Sequence, residues 1–197
     1  MEWKRFGDVG VLLEFDTPAM ARAWHAAIIR AEMAVHARLG WSTVLVTSKL
    51  SPSQLMEFID TLAPDRTNHG IANEFLIEVT YNGEDLSAVA ASTGLGEDEV
   101  IGLHSQPTYT VAFLGFSRGF PYLEGLDQRL WLPRRDSPRT RIPAGSVAIG
   151  AAQTGIYPLD SPGGWHLLGH TDVVLFDERC DPPSRVQPGD QVRFVPR

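Results

Sequence analysis

Apolar and polar positions change rhythm along this chain. A short apolar run at 9–15 (VGVLLEF) has the length of a buried strand. Thr17 and Pro18 follow as an N-cap and a first helical residue. Met20, Trp24, Ala27, Ile28 and Ala31 then recur at helical spacing, and Gly40 offers a stop. Residues 43–48 (TVLVTS) are short and β-branched, which predicts a strand. Ser51 and Gln54 stand three apart around Pro52, the pattern of a capping box, ahead of a stripe of Leu55, Phe58, Ile59 and Leu62. Residues 64–73 (PDRTNHGIAN) read as a loop or domain boundary, and a further strand is predicted at 74–81, closed by a turn at Asn82-Gly83. The strand–helix–strand–helix order predicts a small α/β sandwich over residues 1–75.

Residues 85–92 and 96–104 carry two short helical patterns joined at Thr93-Gly94, with Glu97, Asp98 and Glu99 in the first turn of the second, where the helix dipole favours acids. The pair has the outline of a helix-turn-helix, but its second helix (GEDEVIGLH) is acidic, which argues against reading DNA. His104 at its end reads as a favourable C-terminal charge or a core histidine. Beyond residue 108 the texture changes. Strand candidates at 108–114, 146–150, 166–168, 173–176 and 191–195 are separated by dense Gly/Pro loops, with a clear turn at Pro188-Gly189-Asp190. Such punctuation predicts a β-barrel or sandwich over residues 76–197, and an α+β fold class overall.

Composition narrows the function classes. A net charge of −7 over 197 residues argues against a general nucleic-acid binder. The single cysteine, Cys180, lies in no metal-ligand spacing, and no metal site is expected. The first residues lack a signal-peptide pattern and no run approaches the roughly 18 apolar residues of a membrane span, so a cytoplasmic protein away from membranes is expected. Of the 17 basic residues only Lys4 and Lys49 are lysines. Six arginines (118, 129, 134, 135, 139 and 141) fall within residues 118–141, against Glu124, Asp127 and Asp136. Arginine there suits a carboxylate or phosphate, because its planar fork bonds two oxygens at once.

Three segments carry candidate chemistry, read as tight loops at the mouth of the barrel. In 115–126 (GFSRGFPYLEGL), glycines permit close backbone approach while Phe116, Phe120 and Tyr122 offer flat surface. In 137–150 (SPRTRIPAGSVAIG), Pro138 and Pro143 bracket Arg139 and Arg141, which share one face of an extended stretch, and Gly145-Ser146 follows. In 151–171, Gln153 and Tyr157 offer neutral hydrogen-bonding groups and Trp165 follows a turn at Pro162-Gly163-Gly164 as a lid or a core plug. His166 and His170 lie in strand and turn with no third ligand nearby, which argues against metal. The candidate substrate-binding set is therefore Tyr122, Arg139, Arg141, Ser146, Gln153, Tyr157 and Trp165, facing a small anionic ligand. No recognised nucleophile or phosphate-loop motif is present, and no catalytic residue is assigned. That absence suits a chain that supplies part of a shared site.

The segments GFSRGFPYLEGL, PRRDSPRTRIPAGSVAIGAAQTGIYPLDSPGGWHLLGHT and PGDQVRFVPR, with FGDVGVLLEF and YNGEDLSAVAASTGLGEDEVIGLHS, resemble the family of 5-oxoprolinase B subunits, also called allophanate hydrolase subunit 1 and including the KipI kinase inhibitor. The resemblance runs close to full length. It implies an N-terminal α/β domain followed by a cyclophilin-like β-barrel. It also implies association with homologues of the C and A subunits of 5-oxoprolinase in a complex that uses ATP to hydrolyse 5-oxoproline to glutamate. Relatives with other roles imply two alternatives, inhibition of a sensor histidine kinase and a carboxyl-transfer component of a urea carboxylase type. The chain departs from the family pattern at Arg118, usually proline, and at His170, commonly arginine. A cyclophilin-like barrel does not by itself imply prolyl isomerase activity.

Overall fold

The computed structural model describes residues 1–31, 35–64 and 72–197. Most of the boundary loop expected at 64–73 lies outside them. The chain forms two units, Met1–Ile71 and Ala72–Arg197.

The first unit holds strands β1 (Glu2–Phe6) and β2 (Gly10–Glu14), helix α1 (Pro18–Arg30), strands β3 (Val35–Leu39) and β4 (Thr43–Ser48), and helix α2 (Pro52–Asp60). The strands form an antiparallel sheet in the order β1-β2-β4-β3. Thr17 caps α1 by accepting from the Met20 N–H, and Ser51 and Gln54 close a reciprocal capping box on α2. Alternate residues Val11, Leu13, Val44 and Val46 pack against Ala21, Ile28, Leu55 and Ile59 of the helices. Helix α1 ends at Arg30, ahead of the stop expected at Gly40, and β3 at Val35–Leu39 directly precedes that glycine.

The second unit begins with β5 (Glu74–Val79), α3 (Leu86–Thr93) and α4 (Glu97–Ser105). It continues with β6 (Tyr109–Leu114), β7 (Pro121–Glu124), β8 (Arg139–Ile142), β9 (Ser146–Gly150), β10 (Gln153–Ile156), β11 (Ser161–Gly163), β12 (His166–His170) and β13 (Gln191–Pro196). Seven strands form one sheet in the order β12-β9-β10-β7-β6-β13-β5. Its two edges meet: Thr80 and His170 exchange backbone hydrogen bonds at 2.9 Å, and Gly83 and Asp85 donate to Leu168 and Leu167. The sheet is a nearly closed barrel, and Asn82-Gly83 is part of the seam rather than a hairpin turn. Strands β8 and β11 pair separately as a two-stranded ribbon. The candidate strand at 173–176 makes only an isolated bridge, between Phe176 and Ser184.

Strand alternation sorts the barrel's side chains into two sets. Leu123, Val147, Ile149, Ile156 and Leu168 join the main core with Val111, Val192 and Phe194. Tyr122, Ala148, Tyr157 and Leu167 belong to a second cluster with Phe120, Ile142 and Trp165. Every residue of β9 is buried because one face meets the core and the other meets this second cluster.

Candidate functional site

The second cluster is aromatic and lies on the outer face of the barrel wall, beside the β8–β11 ribbon that contributes Ile142. It is therefore a feature of the wall rather than of the barrel mouth. Phe120 sits at its centre, with ring centroids 5.1 Å from Tyr122, 5.0 Å from Tyr157 and 5.4 Å from Trp165, all edge to face. Tyr122 also meets Trp165 at 5.5 Å and stacks on Phe113 at 4.3 Å. A register shift between Val111 and Phe113 lets Val111 join the core while Phe113 turns to face Tyr122, the kind of re-aiming a β-bulge provides. Two glycines leave the space these rings fill. A Cβ at Gly150 would stand 2.8 Å from the Trp165 ring, and one at Gly163 would stand 2.3 Å from the Tyr157 hydroxyl.

The tyrosines are proton donors at neutral pH. Burial, the largest influence, pushes the Tyr157 phenol up to about 12, and burial likewise raises Tyr122. Phe116, at the edge of the cluster, contacts Phe120 and Tyr157 edge to face. It is 61% exposed and holds a φ of 64°, a left-handed conformation that costs a bulky residue strain.

A buried carboxylate organises the adjacent charge. Asp85, 3% exposed, precedes α3 and lies on the barrel seam. Its carboxylate accepts from Arg135 Nη1 at 2.7 Å, from Arg139 Nη1 and Nη2 at 2.9 Å each, and from the Leu167 N–H at 2.8 Å. Burial alone would raise its pKa. The bonds from Arg139 and Leu167 and the charges of Arg139 and Arg135 outweigh that and hold it below the usual carboxylate range. Arg139 also reaches Glu84 at 3.1 Å. The segment 132–139 is pinned at further points: Leu132 bridges Ala151, the Pro133 carbonyl lies 2.8 Å from His166 Nε2, and the Arg135 N–H donates to Gly164.

Of the seven candidate binding residues, the structure brings Tyr122, Tyr157 and Trp165 into one cluster. Trp165 is buried as a plug. Arg139 adjoins the cluster but holds Asp85. Arg141 faces solvent and pairs with Asp160 at 2.6 Å. Ser146 is buried beside the cluster, its carbonyl accepting from the Tyr157 N–H. Gln153 begins β10, opposite Gly150 under the Trp165 ring.

The histidines divide clearly. His104 is a core residue: Nδ1 lies 2.7 Å from the Tyr81 hydroxyl, Nε2 lies 2.8 Å from Thr154 Oγ1, and the ring stacks on Phe194. Thr154 donates its single proton to the Ala148 carbonyl, so it accepts from His104 Nε2–H, and Nδ1 accepts from Tyr81. Burial pushes the imidazole down to about 3 and keeps it neutral. His166 and His170 contact backbone carbonyls, and among the described residues no group of three or more His, Cys, Asp or Glu could hold a metal ion. Cys180 is a free, exposed thiol. No helix among the described residues is long and apolar enough to cross a membrane.

Sequence reasoning missed Asp85, whose partners lie about 50 and more residues away, and passed over Arg134 among its neighbours. The charge of Arg134 reaches both Tyr122 and Tyr157, and its guanidinium stands 6.0 Å from the centroid of Trp165.

The whole chain is similar to known proteins. It is 42% identical to the 5-oxoprolinase B subunit of Escherichia coli O157:H7, over 97% of this chain and 94% of the relative. A solved structure, TTHA0988, superposes with a TM-score of 0.84 at 38% identity, covering 95% of this chain, which spans 40% of that longer one. The Kluyveromyces lactis urea amidolyase shares the fold, with a TM-score of 0.75 at 21% identity over 99% of this chain and 15% of its own length. Residues 1–186 match the family described as carboxyltransferase domain, subdomain C and D, and the chain belongs to that family.

Proposed function

We propose that this chain is the B component of an ATP-dependent 5-oxoprolinase, which works with C and A components to open the lactam of 5-oxoproline and release L-glutamate. The observation that carries this reading is the near full-length similarity to a 5-oxoprolinase B subunit. The aromatic cluster is compatible with it. A flat lactam can lie on the exposed ring of Phe116 at the cluster's edge, the half-buried Tyr122 hydroxyl can donate to its carbonyl, and an arginine can meet its carboxylate. Tyr122 and Tyr157, with their raised pKa values, are donors rather than bases at neutral pH. Proton abstraction and attack by water therefore fall to groups supplied elsewhere in the complex. This chain is inactive by itself in this reading, and ATP is a co-substrate of the assembly to which none of its residues is assigned.

The test is ATP-dependent glutamate release from 5-oxoproline by the chain co-purified with its C and A partners, with each component omitted in turn. Activity is expected only with all three. Undiminished activity without this chain would refute the role. A stable complex lacking activity would do so too, and would turn attention to the carboxyl-transfer and kinase-inhibitor alternatives.

A further inference from the structure

One edge of the first unit's sheet is β1, whose only strand partner among the described residues is β2. The other side of β1 carries backbone N–H and C=O groups with no strand to meet them, a template for a further strand. All five residues of β1 are exposed. Among the described residues, four of the ten large exposed apolar side chains fall within the first nine positions: Met1, Trp3 at 46%, Phe6 at 53% and Val9 at 55%. Apolar exposure is therefore concentrated at this edge. Charged side chains usually protect an edge strand, but the two cations of β1 are neutralised locally. Lys4 Nζ reaches Glu14 at 2.8 Å, and Arg5 Nη2 reaches Asp8 at 2.7 Å. Glu2 is placed differently. It stands directly opposite Glu14, an unfavourable like-charge pair, and its outer side faces no strand.

We propose that β1 is a self-association edge: two copies of this chain pair their β1 strands antiparallel about a two-fold axis at Trp3, joining two four-stranded sheets into one. The register follows from symmetry and charge. A two-fold axis that relates antiparallel neighbours stands perpendicular to the sheet and keeps every side chain on its own face. Directly opposed residues also share a face, so the axis falls at a residue and not between two. An axis at Glu2, Lys4 or Arg5 opposes like charges. One at Phe6 runs the pairing into the turn at 7–9. The axis at Trp3 sets Glu2 of each copy opposite Lys4 of the other, and sets the two indoles opposite each other. Each Glu2 then gains a cation on its free side, against the Glu14 on its other. Trp3 shares a face with Leu13, so the indole pair extends the apolar side of the sheet, where Leu13 packs in the core. This edge is complementary to itself, which is what selects a second copy as its occupant. A single strand pair is a small interface, so the association is reversible.

Sedimentation equilibrium of the full chain reads the association directly. Wild type is expected to interconvert between monomer and dimer at about 10–100 μM, as a small interface allows, and a chain still monomeric at about 300 μM would overturn the proposal. Glu2→Lys alone opposes cations across the axis, and Lys4→Glu alone opposes carboxylates, so each is expected to weaken dimerisation about tenfold or more. Mixed in equal amounts, one variant brings only cations to these two positions and the other only carboxylates, and the mixture is expected to dimerise again. Either variant dimerising as tightly as wild type, or a mixture of folded variants that associates no better than its parts, would overturn the register. Circular dichroism of each variant alone checks that it is folded. Trp3→Ala changes no charge and tests the same axis independently: it is expected to weaken the dimer, and a dimer of wild-type strength would overturn the proposal.

Discussion

Replacing Asp85 by asparagine removes one negative charge from beneath two arginines and changes almost no volume. The wild-type carboxylate is 3% exposed and accepts four hydrogen bonds at 2.7–2.9 Å, three from guanidinium groups and one from the Leu167 N–H. Breaking a buried ion pair by removing one partner costs about 3–5 kcal/mol, because the other charge stays behind without compensation. Arg139 suffers most, since its side chain is only 18% exposed and its remaining partner, Glu84, is a solvent-facing carboxylate. Arg135 is more exposed and can turn partly to water. The asparagine oxygen can still accept from the two donors on its side, while its amide group faces a guanidinium or an N–H with no acceptor to offer. These two features place the loss near the lower end, about 3 kcal/mol, still a large share of the 5–15 kcal/mol that separates folded from unfolded domains.

Because the chain has two units, a global melting curve can mix two transitions, so the readout has to be local. Amide exchange of Leu167 serves, since its N–H donates directly to the Asp85 carboxylate. Its protection should fall by the equivalent of about 3 kcal/mol in Asp85→Asn, and the Thr80 and His170 amides of the seam should follow. The effect should also fade in acid. The folded-state pKa of Asp85 lies below its ordinary value, so its stabilisation is complete above the ordinary value and lost as pH falls through the folded one, where mutant and wild type converge. A loss under about 1 kcal/mol at neutral pH, the range of an exposed pair, would refute the view of Asp85 as a buried clamp.

Two further outcomes follow from the same structure. His104 is neutral in the folded protein with a pKa near 3, against an ordinary value near 6.5, so the unfolded chain binds more protons between those values. The barrel unit should lose up to about 1.4 kcal/mol per pH unit from this group as pH falls through that window, and His104→Gln should flatten the slope; parallel curves from pH-dependent urea unfolding would count against it. Gly150→Ala should destabilise the barrel unit by about 1–3 kcal/mol and shift the Trp165 indole resonance, because the new methyl would meet the ring at 2.8 Å, whereas an unperturbed resonance would mean the ring does not pack there.

Local signals are legible in the sequence and long-range ones are not. The capping box at Ser51 and Gln54, the N-cap at Thr17, the strand at 43–48 and the helix pair after residue 85 all depend on residues a few positions apart. The strands at Pro121–Glu124, Gln153–Ile156 and Ser161–Gly163 read as loops because they carry the glycine and proline that usually break strands. Gly163 and its neighbourhood are strand because the missing side chain leaves room for a tyrosine, a reason visible only once Tyr157 is in place. The reverse holds at 173–176, where a β-branched apolar run lacks a neighbouring strand to complete it. The aromatic members of the candidate site are identifiable because large rings in tight loops are conspicuous. Asp85 is not, because nothing in its local sequence signals two arginines 50 and 54 residues away.

The arginine cluster shows why counting charge along a sequence differs from locating it in space. Residues 118–141 carry a formal excess of positive charge, which reads as an anion-binding surface. Folding brings Asp85, Asp160 and Glu178 to that segment from elsewhere in the chain, and most of the excess is consumed internally. Arg139 and Arg141 have the right spacing on one strand face, but each already holds a carboxylate. What distinguishes Arg134 is the opposite circumstance: a rigid backbone on both sides and, among the described residues, no carboxylate partner of its own. An anion that meets Arg134 displaces no ion pair among the described residues, whereas one competing for Arg139 would have to leave Asp85 buried and incompletely compensated. The number of arginines along the segment therefore overstates the positive charge that this surface presents.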